Sequence, residues 1–298
     1  MAFYGPETTE ETVAKIGVQA MMLKESFAQV GAFETLRKVS AIGYNAVEVS
    51  QIPMTPENVA ELDKSRKELG MDIAALSVNI AGFKGIPMET LADDFDKIVD
   101  DAKRLDTNLL RIGMLPMPSM KSLDTVIDFA KQANGYAERL KEHGINLYYH
   151  NHHVEFAKFD GKYMLDIIAD HSPAMGMEID VHWVQRGGLD PVRTLEKYAD
   201  KTSMVHLKDY RIGQMPEASF ELLEKGDFPG FMAEFRNVVQ FAEVGEGNLD
   251  FPSIIPAAVK AGVQYLLVEQ DELYGRTVWD ALQTSYDNLV AMGHADLF

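Results

Sequence analysis

Eight short β-rich runs separated by helical patterns constrain the fold of this chain more than any other feature. The runs are KIGVQAMML, NAVEVSQI, MDIAALSVNI, NLLRIGML, INLYYHNH, GMEIDVHWV, SMVHLKDY and QYLLVEQD. Between them, apolar residues recur every three or four positions, which predicts helices. Thr55 and Pro56 form a helix start signal, and Gly43, Gly70 and Gly144 follow predicted helix ends.

Eight such units in 298 residues predict an α/β fold, a single (β/α)8 barrel that spans residues 1–298. The rival is an open doubly wound sheet, which usually carries a glycine-rich phosphate loop early in the chain. The nearest candidate, GEGNLD at Gly245, follows no clean strand. Residues 212–250 are too long for a plain loop and predict a rim insertion between the seventh and eighth strands, over the mouth or at a subunit contact.

The composition limits the location and partners of the chain. It has 46% hydrophobic and 25% charged residues, which is typical of a soluble globular protein, and it has no cysteine. The absence of cysteine excludes disulfides and thiolate metal sites and fits a cytoplasmic location. We see no secretion signal and no apolar run of the roughly 18–20 residues that cross a membrane. A net charge of −18 argues against nucleic acid.

Polar residues gather where the last four strands end. In a barrel, alternate side chains face the axis, and the chemistry lies at the carboxyl ends of the strands. The residues of shared parity at these ends are His150 and His152, then Glu178, Asp180 and His182, then His206 and Lys208, then Glu269 and Asp271. Buried carboxylates need a partner or a metal. Imidazole and carboxylate without sulfur suit Mn²⁺, Zn²⁺, Co²⁺, Fe²⁺ or Mg²⁺, so the pattern predicts one divalent metal site.

Single residues of this set allow plainer interpretations. One histidine on a strand is more often structural than a ligand, and Asp180 or Glu269 alone could form a salt bridge. Convergence on four consecutive strands favours the metal. His153 has the opposite parity, which predicts a supporting role. Glu48 and Glu155 are either substrate contacts or rim and surface charges, and Trp183 is either the wall of a sugar pocket or core.

Five segments, YHNH, EIDVHWV, HLKDYR, EVGEGNLDFPSI and LLVEQDE, resemble the xylose-isomerase-like barrel superfamily in their order and spacing. The similarity runs from about Lys15 to Met292 and is greatest to the sugar phosphate isomerase/epimerase branch, which includes ketose 3-epimerases and inosose dehydratases. It implies one divalent metal with one ligand from each of the last four strands. Here the ligand positions hold His150, Asp180, His206 and Glu269.

The sequence departs from this family pattern at two positions. Many relatives have a glutamate where His150 stands, and ketose 3-epimerases use two glutamates on opposite faces of the substrate. Only Glu269 is kept here. An aromatic residue is common where His182 stands, so His182 is a candidate acid, base or substrate contact.

The resemblance implies a divalent-metal-dependent isomerase or epimerase that acts on a ketose, sugar phosphate or polyol ketone through a metal-stabilised enediolate. We expect Glu269 to be a ligand and base, and His152 or Lys208 to move the second proton. The expected substrate contacts are Asn151, Glu155, His182, Trp183 and Glu48. An inosose-dehydratase-like lyase and a non-catalytic sugar-binding barrel remain as alternatives. A homodimer or homotetramer is expected, with a small carbohydrate as substrate.

Overall fold

The protein is a closed barrel of eight parallel strands surrounded by helices. The structure, a computed structural model, describes residues 14–82 and 88–298. Its strands are β1 (Lys15–Gln19), β2 (Ala46–Val49), β3 (Asp72–Val78), β4 (Leu109–Ile112), β5 (Asn146–His150), β6 (Lys158–Phe159), β7 (Lys162–Tyr163), β8 (Gly176–Asp180), β9 (Thr202–Leu207), β10 (Asp209–Ile212), β11 (Val239–Ala242) and β12 (Tyr265–Val268). The order around the barrel is β1-β12-β9-β8-β5-β4-β3-β2. The predicted (β/α)8 barrel is confirmed.

Helices connect the barrel strands. They are α1 (Lys24–Ile42), α2 (Pro56–Leu69), α3 (Phe95–Arg104), α4 (Leu123–Lys141), α5 (Met164–His171), α6 (Val181–Arg186), α7 (Pro191–Lys197), α8 (Glu217–Glu224), α9 (Phe228–Arg236), α10 (Phe251–Lys260) and α11 (Val278–Ala291). Helix α2 begins at the predicted signal, because the Thr55 hydroxyl accepts the Asn58 N–H at 3.2 Å and Pro56 occupies the first turn. It ends at Gly70, whose φ of 68° is the left-handed conformation that glycine adopts readily. Within the described ranges, no helix has the length and apolar content needed to cross a bilayer.

The barrel interior has an apolar layer below a polar layer. The lower layer includes Leu109, Tyr148, Met204 and Leu267. Two residues further along the same strands, or just past their ends, stand Arg111, His150, His206 and Glu269. Because side chains on a strand alternate with a period of two, each polar residue faces the same side as the apolar residue before it. The site therefore rests on a packed floor.

Strand β8 is shorter than the sequence predicted. The run GMEIDVHWV was interpreted as one strand, but β8 ends at Asp180 and helix α6 follows at once. The Asp180 carboxylate is the physical reason, because its Oδ1 accepts the Trp183 N–H at 3.0 Å and caps the helix. His182 therefore lies on a helix, and the parity argument that grouped it with Asp180 was wrong.

The chain between β9 and α10 forms a layer beyond the barrel. Strands β10 and β11 pair antiparallel, and helices α8 and α9 lie between them. Ser219 is the one buried residue of these two helices, whereas Phe220, Phe228 and Phe235 are half exposed or more. The paired strands β10 and β11 begin at Asp209, three residues before the expected start of the insertion. The expected homodimer or homotetramer stays a prediction.

Candidate metal centre

Four side chains from four neighbouring strands converge at the carboxyl end of the barrel. His150, Asp180, His206 and Glu269 each bring one ligand atom within 4.8 Å of the others. The His150 Nε2 lies 3.4 Å from the Asp180 Oδ2, and the His206 Nδ1 lies 2.6 Å from the Glu269 Oε2. All four side chains are buried, and Glu269 is the most exposed at 5%. This is the set that the sequence analysis named.

On His150 and Asp180, one polar atom is held by the protein and the other is left for the centre. The His150 Nδ1 lies 3.1 Å from the Gly113 carbonyl oxygen, to which it donates as Nδ1–H. The Nε2 lone pair then faces the centre. The Asp180 Oδ1 is used by the Trp183 N–H, which leaves Oδ2.

The same division holds for His206 and Glu269. The His206 Nε2 lies 2.9 Å from the Glu48 Oε2, and the Gln19 amide donates to the Glu269 Oε1 at 3.3 Å. The remaining atoms, His206 Nδ1 and Glu269 Oε2, point toward the centre. Such partners around a ligand normally fix its orientation.

The four remaining atoms fit a divalent cation. His150 Nε2, Asp180 Oδ2, His206 Nδ1 and Glu269 Oε2 are buried and approach one another, yet none makes a hydrogen bond of acceptable geometry to a described residue. Buried polar atoms without partners are costly, and a cation would satisfy all four. Two imidazole nitrogens and two carboxylate oxygens are a donor set that first-row divalent metals accept.

The electrostatics of the four groups agree with a cation site. Burial opposes the charged form of Asp180, but His150, His206 and Lys208 outweigh it and hold the pKa of Asp180 well below its usual range. Burial also opposes the charged form of His206, yet Glu178, Glu269 and Glu48 raise the pKa of His206 well above its usual value. The carboxylates thus attract positive charge to this point, which a proton or a metal can supply.

A second buried group lies directly beneath His206. It consists of Glu48 from β2, Arg111 from β4 and Glu178 from β8, none more than 4% exposed. The Arg111 Nη2 lies 2.5 Å from the Glu48 Oε1, and the Arg111 Nε lies 3.3 Å from the Glu178 Oε2. The sequence analysis missed Arg111. Its signal was a charged residue at inward parity in the apolar run LLRI.

Lys208 and His152 flank the centre. The Lys208 Nζ lies 2.7 Å from Asp271, 3.4 Å from Glu269 and 5.0 Å from the Trp183 ring centroid. Burial opposes its charge, but Glu269, Asp180 and Asp271 raise the pKa of Lys208 above its usual value, so it is an ammonium ion. Burial and then His150 lower the pKa of His152 to about 3, so its imidazole is neutral.

Aromatic rings build one side of the mouth. The Trp183 ring centroid lies 4.5 Å from that of His182 and 6.0 Å from that of Phe241. His182 is fully buried, and neither ring nitrogen bonds to a described residue. The His153 ring lies 5.0 Å from Trp183 and outside the metal set. The wall is therefore largely aromatic.

Three expected substrate contacts have their polar atoms engaged inside the protein. The Asn151 amide bonds the backbone of Asp180, accepting from its N–H at 3.1 Å and donating to its carbonyl at 3.4 Å. Glu155 accepts the Tyr149 hydroxyl at 2.6 Å and the His152 N–H at 2.8 Å. Glu48 pairs with Arg111 and His206 below the metal set. All three are fully buried, and their expected contact with substrate stays a prediction.

Comparison with known proteins gives consistent matches. The family model described as "Xylose isomerase-like TIM barrel" matches residues 36–279. The rhizopine catabolism protein MocC of Rhizobium meliloti is 27% identical over 170 residues, which are 57% of this chain and 48% of that protein. The matched stretch thus spans about half of that relative.

Solved structures share the fold. A sugar phosphate isomerase/epimerase of Parabacteroides distasonis superposes with a TM-score of 0.68 at 21% identity, covering 93% of this chain and 98% of that one. An L-ribulose 3-epimerase gives a TM-score of 0.63 at 16% identity, covering 95% of each chain.

Proposed function

This chain belongs to the xylose isomerase-like TIM barrel family, and we propose that it is a divalent-metal-dependent isomerase or epimerase of a ketose or polyol ketone. The observation that carries the proposal is the convergence of four buried, unpartnered atoms on His150, Asp180, His206 and Glu269. A bound cation would polarise a substrate carbonyl and its neighbouring hydroxyl, and so make the C–H between them acidic.

Glu269 is the proposed base. Burial opposes its charge, but Lys208 and His206 hold the pKa of Glu269 well below its usual value, so it is a carboxylate. The Gln19 amide fixes its orientation at 3.3 Å. The carboxylate accepts the substrate proton while the Lys208 ammonium, 3.4 Å away, stabilises negative charge that develops on a substrate oxygen.

In a two-glutamate epimerase the second glutamate carries the second proton. In this chain another residue must carry it. The strand-five position holds His150, whose Nδ1 is committed to the Gly113 carbonyl and whose Nε2 faces the metal position. It therefore has no free site for a substrate proton. His152 is neutral and its Nδ1 makes no hydrogen bond to the described residues, so we assign it the second transfer as a relay: one ring nitrogen gives its proton to the substrate carbon while the other takes one up, and the Lys208 ammonium is the alternative donor.

The pocket favours an unphosphorylated sugar. The partly exposed Trp183 ring suits the C–H face of a sugar, and His182 lies behind it. Arg211 and Arg276, the arginines nearest in sequence to the mouth ends of β9 and β12, both approach the buried Glu243, at 3.8 and 3.0 Å. A phosphate would have to compete with that carboxylate for them.

The test is the metal content of the purified protein, with His150→Ala and Asp180→Ala beside it. We expect about one equivalent of divalent metal in the native protein and its loss in both variants. His153→Ala is the matched control, because His153 lies in the same turn but outside the metal set. Far-UV circular dichroism verifies that each variant folds.

Deuterium uptake from D₂O into ketoses and inososes then identifies the reaction. Deuterium in an isomer or epimer supports the proposal, whereas loss of water from the substrate would identify an inosose-dehydratase-like lyase. A native protein that binds no metal, even with added Mn²⁺ or Co²⁺, would refute the proposed function. The non-catalytic sugar-binding barrel would then be the better hypothesis.

A further inference from the structure

We infer that Glu48 is a positioning residue for the candidate metal centre: held by Arg111, it fixes the tautomer of His206 and thereby sets the metal affinity. The inference rests on the proposed metal-dependent function and assigns a role to a buried group that does not contact the substrate. It replaces the expected role of Glu48 as a substrate contact.

The tautomer follows from what faces each ring nitrogen of His206. A neutral imidazole carries one N–H, which goes to the nitrogen with the better acceptor. With a cation bound, the Glu269 Oε2 that lies 2.6 Å from Nδ1 would be a metal ligand rather than a proton acceptor, so the proton is placed on Nε2, which lies 2.9 Å from the Glu48 Oε2. The Nδ1 then presents its lone pair to the point where His150, Asp180 and Glu269 converge. If the proton were on Nδ1 instead, its N–H would point at the cation.

Arg111 explains why Glu48 is the acceptor. Its Nε and Nη2 contact the Glu48 Oε1 at 2.6 and 2.5 Å, which leaves Oε2 directed at His206. The Arg111 Nη2 also donates to the Ser50 hydroxyl at 3.1 Å. Gly113 gives the guanidinium room, because a Cβ there would lie 2.6 Å from the Arg111 Nη1. Arg111 thus holds the Glu48 carboxylate in the orientation that accepts the proton of His206.

Glu178 is a natural control within the same group. It is equally buried, and its Oε1 lies 3.2 Å from the His206 Nε2. Neither of its oxygens, however, makes a hydrogen bond to the residues that the structure describes. Burial and proximity to His206 are therefore similar for the two glutamates, and the hydrogen bond to His206 distinguishes Glu48.

The experiment compares Glu48→Gln with Glu178→Gln. In Glu48→Gln the amide oxygen stays on Arg111, a donor, so the amide N–H turns to the His206 Nε2 and favours the wrong tautomer. We expect affinity for Zn²⁺ and Co²⁺, measured by chelator competition, to fall about 10–100-fold, the usual range for such partners. Glu178→Gln should stay within about threefold of the native protein.

Two outcomes would overturn the inference while the native protein still binds metal. One is a folded Glu48→Gln variant with native affinity, and the other is an equal loss in Glu178→Gln. The ¹⁵N shifts of His206 in the zinc-loaded native protein test the tautomer without any substitution, and a proton on Nδ1 would also overturn it. A native protein that binds no metal would instead refute the proposed function itself.

Discussion

At the scale of single residues, the histidines of the site differ because their surroundings differ. Burial lowers the pKa of His152 to about 3 and that of His182 to about 4, with His150 as a further cause for His152. His206 is fully buried but is surrounded by carboxylates, which raise its pKa well above the usual value. The same type of side chain is thus neutral at one position and protonated or metal-bound in the proposed site at another.

Replacing His152 with glutamine should separate catalysis from metal binding. We expect kcat to fall about 100-fold or more, because the proposed second proton carrier is lost. The metal content should not change, since His152 contributes none of the four converging atoms. Steady-state rates and metal analysis test this, with His153→Gln as the control. A native kcat would remove His152 from the mechanism.

Replacing Lys208 with methionine should lower the rate without weakening metal binding. The ammonium lies 3.4 Å from Glu269 and 3.9 Å from Asp180, so it competes with a cation for the same carboxylates. We expect kcat to fall about 100-fold and metal to bind as tightly as before or more tightly. Chelator competition beside steady-state kinetics gives both values. Weaker metal binding would indicate that Lys208 orders the ligands instead.

Sequence reasoning named the four converging residues but not the residues that orient them. The candidate ligands stand at strand ends, where a period of two and the barrel rule locate them. The partners of His206 and Glu269 come from β2 and β1, and their contacts depend on the closed cross-section of the barrel. Glu48, for example, pairs with a residue 63 positions away. The periodicity of one segment gives no information about contacts between residues so far apart in the sequence.

At the scale of elements, one carboxylate joins the start of β10 to the chain that enters α10. Asp209 is fully buried and accepts the N–H groups of Tyr210, Gly245, Gly247 and Leu249 at 2.8 to 3.2 Å. GEGNLD, considered first as a phosphate loop, thus surrounds the protein's own carboxylate. Gly247 must lack a side chain, because a Cβ would lie 2.2 Å from the Asp209 Oδ1.

Replacing Asp209 with alanine should destabilise the protein by about 3 kcal/mol, because buried N–H groups lose their acceptor. Asp190→Ala is the matched control. Its carboxylate caps α7 from an exposed position, accepting the Arg193 N–H at 2.9 Å, and its loss should cost about 1 kcal/mol. Urea unfolding compares the two. Equal losses would mean that the Asp209 contacts add nothing beyond an ordinary cap.

The elements themselves were predictable because their local signals agree with the fold. Thr55, Pro56 and Gly70 bound α2 as predicted. The boundary between β8 and α6 was not predictable from pattern, since VHWV suits a strand as well as a helix. The Asp180 carboxylate sets this boundary by capping α6. The sequence alone does not show the cap, because an aspartate at this position is expected of a buried metal ligand as well.

At the scale of the whole molecule, the four candidate ligands lie on half of the barrel. Three of them lie in β5, β8 and β9 and the fourth directly follows β12, and these strands are consecutive neighbours in the closed sheet. The unfolded chain cannot bring these strand ends together, so a cation binds the folded state preferentially. Metal binding should therefore raise the free energy of unfolding of the whole protein.

Saturating metal should raise the melting temperature of the native protein. At a free concentration about 100 times Kd, linkage contributes about 2.7 kcal/mol, which corresponds to roughly 4 °C in a domain of this size. Asp180→Ala should show no such shift, because it lacks a ligand. Thermal scans of both proteins, with metal and with a chelator, provide the comparison. An equal shift in the variant would mean that the metal stabilises the protein from another site, because the stabilisation would then not depend on Asp180.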